Sequence, residues 1–132
     1  MSDAEDKGLA LFAEIYGSEM AAGTRAWYEK GEDFGAEQGR WTMEWAFGSV
    51  WTRKGLSRKE RSCTVLGMLI AQGAHEEVKY HTRMGMKNGL SRTEIEEIFY
   101  TAIPYCGFPA AAAAKRAMMA AFAEIENEEN NA

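Results

Sequence analysis

The chain has 132 residues, 46% of them hydrophobic and 27% charged, with a formal net charge of −5; this balance is globular and excludes disorder over most of the length. Lys and Arg are scattered among acids, which excludes an electrostatic footprint for nucleic acid. The longest uncharged run, 98–114, is short for a bilayer span and contains two prolines.

Ser2-Asp3-Ala4-Glu5 reads as a capping box, and Leu9, Phe12, Ile15 and Tyr16 continue it as an apolar stripe at helical spacing. The acidic residues of this start are the wrong chemistry for a secretory signal, so a cytoplasmic protein is expected. Gly17 stops the first helix, and a second, from about Met20 to Lys30, ends near Gly31. From Asp33 to Arg53 a helical segment places Phe34, Trp41, Trp45 and Gly48 on one face, read as core or subunit interface. Ser57-Arg58-Lys59-Glu60 is a second capping box, opening a helix through Val65, Leu66, Leu69 and Ile70 to Gly73. The next helix spans Glu76 to Asn88, with Gly89 as its stop.

Ser91-Arg92-Thr93-Glu94 is a third box, and its helix is expected to end or kink at Pro104. Pro109 then opens an alanine-rich last helix to about Ile125, where small side chains let two helices approach closely. The acidic tail 126–132 is expected to fray. No stretch alternates as a strand does. The prediction is an all-α, single-domain helical bundle of about six or seven helices.

Both histidines lie in one short stretch, His75 to His81. Glu77 and His81 are four apart, so a helix puts them on one face. A carboxylate beside an imidazole favours the charged ring, which makes a proton donor near neutral pH. The two cysteines, Cys63 and Cys106, fit no zinc spacing and form no Cys-x-x-Cys, so both are read as small buried hydrophobes.

Four segments carry a resemblance: residues 45–62, 76–83, 88–95 and 105–111. Over roughly 41–120 they resemble, in order and spacing, the carboxymuconolactone decarboxylase family. The resemblance implies an alkylhydroperoxidase D-like fold, with 1–33 as an N-terminal helical extension. It also implies homo-oligomers, trimers or hexamers, with active sites near subunit contacts. The reaction implied is loss of carbon dioxide from 4-carboxymuconolactone, or a closely related anionic lactone, in the β-ketoadipate pathway. Neither an organic cofactor nor a metal is required. Loss of the carboxylate drives electrons onto the lactone carbonyl, so the site needs a donor at that oxygen and a proton for carbon.

By the same resemblance, His81 is the proton donor or carbonyl polariser, and Glu77 sets its tautomer and raises its pKa. Arg53, Arg58, Arg61 and Arg83 match basic positions suited to substrate carboxylates. Trp51, Tyr105 and Cys106 match pocket positions. Ser49 departs from the pattern: decarboxylases of the family commonly carry an acid there, and Glu44, five residues away, has the wrong angular offset on an α-helix. A different lyase, isomerase or hydrolase on a related lactone or carboxylated ring product is therefore the alternative. A thiol peroxidase of the same fold would need cysteines where Ala74 and Glu77 stand. A helical oligomer without catalysis would not call for the His–Glu pair.

Overall fold

The computed structural model describes residues 2–132. Seven α-helices and one π-helix are present, with no strand among the described residues. None of these helices is long and apolar enough to cross a membrane. The chain divides into two compact units, Met1–Leu56 and Ser57–Ala132, and the boundary falls inside the stretch that carries the resemblance.

In the first unit, α1 (Asp3–Tyr16) and α2 (Ser18–Lys30) precede the short α3 (Ala36–Trp41). Ser2 caps α1 by accepting from the Glu5 amide, but the box does not close as the spacing suggests. Glu5 turns inward instead. It is 1% exposed and accepts a 2.6 Å hydrogen bond from the Tyr28 hydroxyl, with Arg40 Nη1 at 3.4 Å. Burial and this carboxylate keep the Tyr28 phenol protonated far above its ordinary range.

The chain then runs into a π-helix, Thr42–Trp51, rather than a continuous α-helix. Such helices are rare and bond i to i+5. Phe34, Trp41 and Trp45 are exposed on this chain, which corrects the core half of the expectation that they form core or subunit interface, whereas Gly48 is buried. Here α1 and the π-helix meet backbone to backbone. A Cβ on Gly8 would lie 1.8 Å from the Met43 carbonyl oxygen, and one on Gly48 would lie 1.9 Å from that of Ala4. Only glycine permits this approach.

In the second unit, α4 (Arg58–Gln72), α5 (His75–Lys87), α6 (Arg92–Cys106) and α7 (Phe108–Asn130) pack around Leu66, Ile70, Val78, Ile95, Met118 and Phe122. Full burial of each such side chain contributes about 1.5–3 kcal/mol. The capping boxes of Ser57–Glu60 and Ser91–Glu94 are both complete. Ala111, Ala114 and Ala121 are buried on α7, giving the close approach expected of the alanine run. Pro104 does not end α6, which continues to Cys106. Nor is the tail frayed from 126: α7 runs to Asn130, because Glu126 and Glu128 find partners in Arg92 and Arg83.

Candidate active site

The helix α5 owes its ends to local chemistry. Glu76 and Glu77 occupy its first turn and Lys87 its last, each favourable to the helix dipole. At its C-terminus Leu90 N–H donates to the Gly85 carbonyl at 2.9 Å and Gly89 N–H to that of Met86 at 3.1 Å. This is a Schellman stop, with Gly89 at φ 104. Val78, Thr82, Met84 and Gly85 are buried, and Thr82 donates to the Val78 carbonyl at 2.7 Å.

His81 is half-buried on this helix. Its Nδ1 is buried and has no hydrogen-bond partner, while Nε2 faces the exposed Glu77 carboxylate at 3.9 Å. That separation is too long for a hydrogen bond, so Glu77 does not fix the tautomer as expected. Burial holds the ring below its ordinary value of 6.5, and the field of Glu77 opposes this only in part. The expectation of a raised pKa is thereby reversed: His81 is neutral at pH 7.

Stability should respond accordingly. Between pH 6.5 and the lowered native value, the unfolded chain binds a proton on this ring and the native protein does not, so stability falls as pH falls. The depressed carboxylates of Glu60, Glu94, Glu124 and Glu128 act in a separate window, below 4.5. His81→Gln should flatten the upper window in urea unfolding measured at a series of pH values. An unchanged slope would mean that the ring sits in water-like surroundings.

The four arginines fare differently. Arg83 is committed to α7, bonding Glu124 at 2.9 Å and Glu128 at 2.5 Å, and Lys79 joins Glu124 at 3.1 Å. Arg58 donates from Nε to Asn88 Oδ1 at 3.0 Å. Both belong to the four arginines of which one or two were expected to hold substrate, and both join helices within this unit. Arg61 is half-buried on α4. It adjoins Ser62, whose Cβ would lie 3.6 Å from a Cβ on Gly85, one turn beyond His81. Arg53 is exposed in the first unit, after the π-helix.

Ser49 and Trp51 also belong to the first unit. Trp51 is buried and stacks on Phe47 with ring centres 6.4 Å apart. Ser49 Oγ donates to the Glu44 carbonyl at 2.8 Å. The i to i+5 pattern sets residues five apart one above the other, so Glu44 and Ser49 share a face that an α-helix would have denied them. Tyr105 is 88% exposed. Cys63 and Cys106 are half-buried rather than buried, and both line a cleft of about 580 Å³ between α4 and α6. Burial pushes the Cys63 thiol up, which makes it a poor nucleophile. Among the described residues no group of three His, Cys, Asp or Glu side chains gathers as a metal site would.

Sequence reasoning missed the partners of the arginines, Asn88, Glu124 and Glu128, and the Ser62 that Asn88 bonds in turn. Asn88 signalled itself only as the residue before a helix-stopping glycine.

Comparison with known proteins adds to this geometry. Residues 36–120 match the sequence pattern of the carboxymuconolactone decarboxylase family. The chain is 36% identical over 104 residues to nitrosuccinic acid decarboxylase npaB of Metarhizium robertsii, covering 79% of this chain and 71% of the relative. It is 31% identical over 108 residues to 4-carboxymuconolactone decarboxylase of Acinetobacter baylyi, covering 82% and 78% respectively.

Proposed function

The chain belongs to the carboxymuconolactone decarboxylase family, and on that premise we propose that it decarboxylates 4-carboxymuconolactone or a closely related lactone carboxylate. The observation that carries this reading is the buried, unpartnered Nδ1 of a neutral His81. A buried polar nitrogen costs free energy unless something bonds it, and a substrate oxygen can supply that bond.

The chemistry follows from the substrate. When the carbon–carbon bond to the leaving carboxylate breaks, its electron pair passes through the ring double bond to the lactone carbonyl. Carbon dioxide departs, and the oxygen gathers the charge. His81 donates from Nδ1 to that oxygen, as a neutral imidazole polarises a carbonyl. As Nδ1 passes that proton to carbon, Nε2 takes one from water beside the exposed Glu77, so the ring never becomes an anion. After product leaves, solvent exchange moves the ring proton from Nε2 back to Nδ1 and restores the starting tautomer. Arg61, half-buried on α4 with its Nε shielded from water, is the arginine we assign to the carboxylate that stays. No external electron sink is needed, because the lactone is one.

A second reading has its own support. Identity is higher to the relative named for nitrosuccinic acid. Loss of a carboxylate beside a nitro group leaves a nitronate, so charge again settles on oxygen and a second carboxylate remains for Arg61. Both acids, with succinate as a control lacking a sink, form the test. Carbon dioxide is expected from at least one of the first two and not from succinate. Failure of both at millimolar concentration would remove the proposal.

A further inference from the structure

We infer that Asn88 is a positioning residue that fixes where His81 stands against α4, an inference resting on His81 as the working group of the proposed decarboxylation. Asn88 is 8% exposed, and its amide is used at both ends. Oδ1 accepts from Arg58 Nε at 3.0 Å, and Nδ2 donates to Ser62 Oγ, also at 3.0 Å. Arg58 and Ser62 are four apart on α4 and so share one face of it. The amide therefore lies along α4 and sets the axial position of α5, not only its distance. Ser62 is itself 1% exposed, so a lost bond here has no water to replace it.

At the other end of α5 the hold is made by backbone alone: Ala74, its N-cap, makes no side-chain cap bond, and its N–H donates to the Leu69 carbonyl of α4 at 3.1 Å. Asn88 thus adds a side-chain hold on the register at the C-terminal end of α5, beside a close approach of α5 to α4. A Cβ on Gly85 would lie 2.9 Å from Leu90 Cδ1 and 3.6 Å from Ser62 Cβ. His81 stands two turns before Asn88 on the same side of the helix. An axial slip at Asn88 is carried along a hydrogen-bonded helix to His81. A misplacement of about 1 Å at a reacting group can cost about 10²-fold in rate.

Three variants separate positioning from packing. Asn88→Leu fills the space but abolishes both bonds; Asn88→Asp keeps them, since a carboxylate accepts from Arg58 and from a rotated Ser62 hydroxyl. Turnover is read as carbon dioxide release from 4-carboxymuconolactone and from nitrosuccinate. The titration of His81 is read by NMR in a His75→Ala background. Asn88→Leu should lower kcat by about 10²-fold with KM nearly unchanged. It should also move the His81 titration towards its ordinary value as water reaches the ring, and Asn88→Asp should restore both. A folded Asn88→Leu protein with wild-type titration and turnover overturns the inference, as does an Asp variant as impaired as Leu. If Asn88→Leu does not fold, Ser62→Ala removes one bond alone and should give the same changes in smaller measure; an unmoved titration there overturns it. The titration needs no substrate, so failure of both acids to react would count against the proposed function alone.

Discussion

His81→Ala is expected to release carbon dioxide about 10²–10⁴-fold more slowly than wild type, the usual loss when a positioned acid–base group is removed. The variant should keep its helical content, because His81 is only half-buried and the α5 core is formed by Val78, Thr82 and Met84. Glu77→Gln should cost less. Its carboxylate is 3.9 Å from Nε2 and exposed, so it offers a weak field and a route to solvent rather than a bond. His75, exposed at the start of the same helix, should tolerate alanine with little change. A folded His81→Ala enzyme with wild-type turnover on its substrate would end the assignment of His81 as the proton-handling group.

The second large effect is on stability. Gly48→Ala should destabilise the first unit by about 3 kcal/mol or more, at the upper end of overpacking. The added methyl would sit 1.9 Å from the Ala4 carbonyl oxygen and 2.7 Å from that of Met43, and backbone cannot swing aside as a side chain can. Gly8→Ala should behave alike. Gly23→Ala is the control: it lies inside α2 with nothing near its Cβ position, so it should gain about 0.5–1 kcal/mol by helix propensity. Urea midpoints followed by circular dichroism would show the contrast. A Gly48→Ala midpoint equal to that of wild type would mean that α1 and the π-helix stand further apart.

What was legible in the chain was mostly local. The boxes at Ser57–Glu60 and Ser91–Glu94, the stop at Gly89 and the proline opening α7 are short-range signals, and all appear as expected. The Glu77–His81 adjacency also follows from spacing. What spacing could not supply was environment. A carboxylate four residues away predicts a raised imidazole pKa; burial by the neighbouring helices outweighs it. Arg83 looked available because Glu124 and Glu128 are more than forty residues on, and only the packing of α7 on α5 joins them. Glu5 looked like a capping partner until α2 brought Tyr28 to it. The π-helix was hidden for a related reason: its wider turn keeps apolar residues at spacings that an α-helical reading also accepts.

The arrangement of indoles around that π-helix decides what light the protein emits. Three of the four tryptophans, Trp27, Trp41 and Trp45, are 42%, 58% and 73% exposed, and Trp51 alone is buried at 8%. Where no second subunit covers these rings, native fluorescence will therefore be dominated by water-relaxed indoles and will already lie towards the red. A red emission maximum, or easy quenching by acrylamide, is no sign of unfolding in this chain. Only the small blue contribution of Trp51 reports the packed side of the π-helix, and a Trp51→Phe difference spectrum is the way to isolate it.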